Sequence, residues 1–151
     1  MKRNSQTRRG VLTASAAVLA TPAILRGTRA YAQSKTLKIG YVSPTTGPLA
    51  GFGEADDYVI EGIRAAMSGG VENNGSSWNV EIMTRDSQSN PNRAAEVAAD
   101  LILGEEVDII VAAATPDTTI PVADQAEINE VPCITTDAPW QPYFFGRNGN
   151  P

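Results

Sequence analysis

The sequence predicts an α/β protein built on a doubly wound parallel sheet. From residue 37 onward, short runs rich in β-branched residues alternate with longer segments in which apolar residues recur at helical spacing. One run, residues 108–113, is almost wholly apolar, which is typical of a central parallel strand covered on both faces. Because crossovers between parallel strands are right-handed, the series predicts a sheet with helices on both sides.

The first half of the series has recognisable start and stop signals. We expect a first strand over residues 37–42 and a helix over residues 54–67, which a Gly-Gly pair ends. A turn over residues 73–76 precedes a second strand over residues 78–84, where apolar and polar residues alternate.

The second half starts with Asn90, a favoured N-cap residue, and Pro91, which suits the first helical position. We expect this helix to bury one stripe of side chains: Ala94, Val97, Ala98, Leu101 and Ile102. The apolar strand over residues 108–113 follows. A helix over residues 118–130 and a fourth strand over residues 132–135 complete the series.

The first 32 residues have the layout of a bacterial export signal. The order Thr7-Arg8-Arg9-Gly10-Val11-Leu12 resembles a twin-arginine signal, and an apolar stretch over residues 11–25 leads to an Ala30-x-Ala32 cleavage motif. The stretch is shorter than a membrane-spanning helix requires. We therefore expect recognition by the twin-arginine export machinery, cleavage after Ala32, and a mature protein in the periplasm.

The charge of the remaining residues excludes several classes of function. Six of the twelve Lys and Arg residues and none of the seventeen Asp and Glu residues lie in the first 32 positions, so residues 33–151 carry a formal charge of −11. Such a balance argues against nucleic acid and anionic membranes as partners. The chain has no histidine and one cysteine, which removes histidine-based triads and internal disulfides.

The C-terminal tail, residues 139–151, is rich in aromatic residues but shows no helix or strand period. We expect it to be irregular. A complete domain seldom ends on so much exposed aromatic surface, so we expect a fragment whose natural continuation covers it.

Ligands of parallel sheets bind beyond the carboxyl ends of the strands. Four loops are predicted at that edge: residues 43–53, 86–90, 114–117 and 136–140. The first loop has hydroxyl groups and an aromatic ring just before a helix. Gly51-x-Gly53 could indicate a dinucleotide site, but Asp56 replaces the third glycine of that fingerprint.

Several of these motifs resemble one family. They are the exported N-terminus, Lys38-Ile39-Gly40, Thr46-Gly47-Pro48-Leu49-Ala50, Phe52, Asp86 ahead of Asn90-Pro91, and the helix Arg93-Ala94-Ala95-Glu96-Val97-Ala98. In this order they resemble the extracytoplasmic solute-binding proteins of ABC importers, of the leucine/isoleucine/valine-binding type I family. The resemblance implies two α/β lobes that close over a small molecule and deliver it to a membrane permease. This chain would supply an incomplete first lobe, over residues 33–151, without the second lobe.

The resemblance also implies a ligand site. Members that bind amino acids hold the ligand through hydroxyl-rich segments, which correspond here to residues 115–118 and 136–139. Pro116 and Pro139 replace residues that would carry hydroxyl groups, so a free branched-chain amino acid is not the expected ligand. The candidate ligand-binding residues are Phe52, Thr115, Asp117, Thr118, Asp137 and Trp140. We expect no catalytic residue, metal site or cofactor.

Each candidate has an alternative structural role. Phe52 could cap the core, Thr115, Asp117 and Thr118 could cap a helix, and Asp137 and Trp140 could pack at a hinge. The function also has alternatives: a sensory or receptor ligand-binding domain on the same fold, or an exported α/β enzyme. The resemblance favours solute capture for transport.

Overall fold

The computed structural model describes residues 35–149. Strand β1 (Lys35–Ser43) pairs in parallel with β3 (Ser76–Asp86) on one side and with β4 (Ile109–Ala113) on the other. Strand β5 (Cys133–Thr136) pairs in parallel with β4. The predicted parallel sheet is therefore confirmed, and the apolar run over residues 108–113 forms an interior strand as expected.

A short strand that the sequence did not predict makes the sheet mixed. Strand β2 (Val71–Asn73) pairs antiparallel with the start of β3, and the strand order is β2-β3-β1-β4-β5. The hairpin turns through Asn74 and Gly75, whose φ angles are 50° and 75°. An Asn-Gly pair with two positive φ angles favours a tight two-residue hairpin. The expected turn thus carries an additional edge strand.

Within residues 35–149, three α-helices lie between the strands, close to the predicted positions, and a fourth, which the sequence did not predict, follows β5. They are α1 (Asp56–Ala66), preceded by a 3-10 turn (Ala50–Phe52), α2 (Pro91–Ala99), which continues as a π-helical turn (Asp100–Gly104), α3 (Pro116–Ile128) and α4 (Trp140–Gly146). The Asn90 side chain accepts hydrogen bonds from the backbone N–H groups of Asn92 and Arg93, at 2.8 and 3.1 Å. The N-cap predicted for α2 is therefore confirmed.

The main core lies where α2 and α3 pack together on one face of the sheet. All five residues of the predicted stripe on α2 and its π-helical turn are buried. They pack with Val42 of β1, Ile110 of β4 and Val122 of α3, each fully buried. Burial at about 25 cal/mol per Å² of apolar surface makes this side the principal source of stability.

Among residues 35–149, α1 is the one helix that covers the opposite face of the sheet. Ile39 and Tyr41 of β1 point to this face, and Val111 of β4 does so as well. Ile60 of α1 is buried there, whereas Ile134 on the edge strand β5 is half exposed. One helix across this face leaves an apolar groove, which reaches the carboxyl edge of the strands.

The prediction of an irregular tail is wrong, because α4 is a helix. Pro139 precedes it in an extended conformation, and Pro142 lies in its first turn, where a missing N–H costs no helical hydrogen bond. Tyr143 and Arg147, four residues apart, both line the surface facing α3. The helix is too short, and too aromatic on both sides, to show a period in the sequence.

The predicted signal segment, residues 1–32, lies outside the described residues, as do its twin-arginine motif and cleavage site. Among residues 35–149, no helix has the length and apolar character needed to cross a bilayer.

Candidate functional site

The carboxyl ends of four parallel strands gather the predicted loops at one edge of the sheet. The chain leaves β1 towards β3 and later returns past β1 to β4, so the winding direction changes between β1 and β4. In open parallel sheets such a change marks the usual ligand crevice. The loops that follow Ser43 and Ala113 flank it here.

The first two loops are held together by Asp86, at the end of β3. Its carboxylate accepts hydrogen bonds from the backbone N–H groups of Thr45, Thr46 and Gln88, at 3.0, 3.2 and 2.8 Å. Ser89 adds a link, because its hydroxyl donates to the Thr46 carbonyl at 2.7 Å. These bonds hold the first part of the loop over residues 43–53 against the loop that follows β3.

A groove of about 520 Å³ opens between α1 and the sheet and brings two of the six candidate residues together. Phe52, in the 3-10 turn, and Asp137, just after β5, both line it. The Phe52 ring is 64% exposed, so it is available for contact and does not simply cap the core. The volume and mainly apolar lining are those of a small-molecule site with a few polar groups.

Tyr41 and Asp56, which the sequence did not single out, also line this groove. Asp56 accepts a hydrogen bond from the hydroxyl of the fully buried Ser43. Burial, together with the negative charge of Asp56, raises the pKa of Tyr41 well above its ordinary value, so its hydroxyl stays protonated. Tyr41 alternates with the core residue Val42 along β1, and this period of two is the sequence signal that could have placed it on the face opposite the main core.

Thr115 and Thr118 lie in a buried hydroxyl cluster, not in the groove. The Thr118 hydroxyl is 3.1 Å from that of Ser87 and 3.4 Å from that of Thr115. Thr118 is fully buried and Thr115 nearly so. The cluster fastens the start of α3 to the loop after β3, and Ser87 was not among the expected residues.

The last two candidates, Asp117 and Trp140, are exposed and do not line the groove. Asp117 lies in the first turn of α3. Trp140 starts α4 and forms an aromatic cluster with Phe144 and Phe145, with ring centroids 5.5 to 6.4 Å apart. Both residues follow the carboxyl ends of strands, Asp117 after β4 and Trp140 after β5.

Backbone strain also occurs at this edge. Ala114 follows β4 with φ 85° and Asp137 follows β5 with φ 56°, both in the region that favours glycine. The Ala114 N–H donates to the Thr136 carbonyl at 3.2 Å, which ties the two strand ends together. Sparsely populated angles of this kind concentrate at ligand sites. Within residues 35–149, no group of three acidic, cysteine or histidine residues could hold a metal ion.

Most of the chain matches one known protein family. The matched residues are 36–149, and the family is described as periplasmic binding protein. A comparison with curated proteins gave no match.

Three solved structures are among the similar ones. One is the branched-chain amino acid transporter substrate binding protein LivJ from Streptococcus pneumoniae, in complex with isoleucine. Its sequence is 29% identical to this chain and its TM-score is 0.61. The match covers 76% of this chain and 32% of LivJ. The leucine binding protein LivK from Thermotoga maritima is 31% identical, with a TM-score of 0.55. The match covers 68% of this chain and 28% of LivK. The third is a solute binding protein of an ABC transporter from Rhodopseudomonas palustris, in complex with 3,4-dihydroxybenzoic acid. It is 25% identical, with a TM-score of 0.59, and the match covers 68% of this chain and 27% of that protein. The chain thus spans about a third of the length of these proteins or less.

Proposed function

The chain belongs to the periplasmic binding protein family, and from this premise we propose that it forms part of the first lobe of an ABC importer's solute-binding protein. The observation that carries the proposal is the groove lined by Phe52 and Asp137 at the carboxyl edge of the sheet. Its position beside the change in winding direction is where α/β folds bind ligands. A second lobe would close over this edge and bury the solute.

We propose separate roles for the six candidate residues. Phe52 and Asp137 contact the solute, since both line the groove. Thr115 and Thr118 act indirectly, because their hydroxyl groups are engaged with each other and with Ser87. Asp117 and Trp140, which follow the carboxyl ends of β4 and β5, contact the solute or the second lobe after closure.

We also propose that the protein is exported through the twin-arginine pathway, is cleaved after Ala32 and acts in the periplasm. The family and the pattern of residues 1–32 support this location. There the protein would deliver its solute to a membrane permease without altering it. Capture, and not conversion, is the proposed activity.

The experiment is a solute screen on the full-length protein that contains this chain. Calorimetric titration identifies a bound solute, and small-angle X-ray scattering with and without it measures closure of the lobes. We expect a fall in the radius of gyration on binding and recovery of the solute chemically unchanged. Binding without compaction would contradict capture between two lobes, and turnover of the solute would indicate an enzyme.

A further inference from the structure

We infer that the solute presents a positively charged nitrogen, and not a carboxylate, to this lobe. The inference rests on the proposed function and deepens it by naming the charge of the ligand group that meets the groove. Three features support it: the hydrogen bonding at the start of α3, the acidic groups of the groove, and the position of the Phe52 ring.

The start of α3 is poorly suited to hold a carboxylate. A helix N-terminus binds anions through its free N–H groups, but Pro116 has none at the first position. The N–H groups of Thr118 and Thr119 both donate to the Thr115 carbonyl, at 3.0 and 2.8 Å. Asp117 adds a negative charge in the same turn. An anionic group would therefore find few donors and a repelling carboxylate.

The polar groups of the groove have the opposite preference. Asp137 lines the groove, is exposed, and has no hydrogen-bond or ion-pair partner among residues 35–149. Asp56 lines it too, and its carboxylate accepts a hydrogen bond from the Ser43 hydroxyl. Among residues 35–149, no basic side chain lines this groove. Arg64 donates to the carbonyl of the lining residue Ile82 at 2.7 Å, and Arg85, in an adjoining pocket, is paired with Glu105 at 2.9 Å. The groove is therefore negative without an internal counter-charge.

The ring and the apolar wall complete a site for an alkylammonium group. An ammonium ion is attracted to the face of an aromatic ring and to a carboxylate, and Phe52 and Asp137 offer both at one groove. Ile39, Val59 and Ile63 line the same groove and would contact the hydrocarbon part of the solute. The volume of about 520 Å³ accommodates a ligand of several carbon atoms.

The test uses three probes that share one branched carbon skeleton: isopentylamine, isopentanol and isovalerate. Each is titrated calorimetrically into the full-length protein and into two variants, while scattering measures closure. Asp137→Asn keeps the shape of the side chain and removes its charge. Asp100→Asn is the matched control, because Asp100 is exposed in the π-helical turn after α2 and lines none of these pockets.

We expect the amine to bind at least about tenfold more tightly than the alcohol and the acid, and Asp137→Asn to remove most of that preference. Asp100→Asn should leave it unchanged. The inference is overturned if isovalerate binds as tightly as the amine, if the amine does not bind, or if Asp137→Asn leaves the preference intact. If the lobes close around isovalerate alone, the charge assignment is rejected and solute capture is retained. If the amine binds without closure of the lobes, the charge assignment is retained and solute capture is rejected.

Discussion

The hydroxyl of Thr46 donates a hydrogen bond of 2.5 Å to the carboxylate of Asp86, which lies forty residues further along the chain. Thr46 follows β1 and Asp86 ends β3, so this bond joins two loops of the candidate site. The backbone N–H of Thr46 donates to the same carboxylate at 3.2 Å. The Asp86 carboxylate therefore holds the start of the loop that leads to Phe52.

The first prediction concerns the pH dependence of this link. Burial of Asp86 acts to raise its pKa, but hydrogen bonds from Thr46, Gln88 and Thr45 outweigh it and hold the pKa below the ordinary 3.8. A lowered folded-state pKa stabilises the fold above pH 3.8, and this contribution is lost as the pH falls below that value towards the folded-state pKa. Asp86→Asn should destabilise the full-length protein by about 1 kcal/mol or less at pH 7, because solvent partly screens these exposed hydrogen bonds.

Urea unfolding at several pH values measures this effect. The difference between wild type and Asp86→Asn should shrink below pH 3.8, where the wild-type carboxylate becomes protonated. Asp100→Asn serves as the control for charge alone. A difference that stays constant with pH would show that ionisation of Asp86 does not hold the loops.

A second prediction concerns the glycines of the first loop. Gly47 has φ +87°, and an added Cβ would lie 2.7 Å from the Gln88 carbonyl oxygen and 2.8 Å from Ser89 Oγ. Gly47→Ala should therefore cost about 1 to 3 kcal/mol of stability. Gly51→Ala is the control, since its Cβ would meet nothing within 4 Å. Equal melting temperatures of the two variants would contradict the close approach of the loops.

A third prediction concerns the aromatic wall. Phe52→Ala should weaken solute binding by about 1 to 3 kcal/mol, because an apolar contact is lost when the ring is removed. Tyr58→Ala is the matched control, because Tyr58 is 85% exposed on α1 and does not line the groove. Calorimetric titration of the full-length protein compares the two. If Phe52→Ala binds with wild-type affinity, Phe52 is not part of the site.

A fourth prediction concerns the attachment of α4. Arg147 pairs with Asp124 and Glu127 of α3, and its side chain is only 6% exposed. Arg147→Gln should lower the free energy of unfolding by about 1 to 3 kcal/mol, since a buried charged donor and its packing are lost.

The control for this variant is Arg93→Gln, because its pair with Glu96 at 2.9 Å is more exposed, with side-chain exposures of 39% and 62%. An exposed pair contributes about 0 to 1 kcal/mol, so this change should have little effect. Chemical denaturation measures both. Similar losses in the two variants would show that burial does not set the strength of the Arg147 contacts.

A fifth prediction concerns export. Changing Arg8 and Arg9 to lysine should stop twin-arginine export of a reporter fused after Gln33. The same change at Arg26 and Arg29 is the control, because it alters a second arginine pair outside the motif. Cell fractionation measures the reporter. A wild-type fusion that still reaches the periplasm of a strain without the pathway would indicate general secretion instead.

The sequence alone determined the alternation of strands and helices and the face that α2 buries. These features follow from local periodicity, because a side chain's exposure within one element depends on neighbours two to four residues away. The N-cap at Asn90 was predictable for the same reason, since the cap and its donors are within three residues. The short helix α4 was missed, because one of its faces is defined by contacts with α3 and not by a pattern.

The tertiary structure decided which candidate residues share a site. Phe52 and Asp137 line one groove, although they are distant in the sequence, whereas Thr118 is withdrawn into a bond with Ser87. The pairing of Ser87 with Thr118, and of Thr46 with Asp86, requires the order of the strands in the sheet. No local pattern carries that information, because such contacts form only when the chain closes long loops and packs both faces of the sheet.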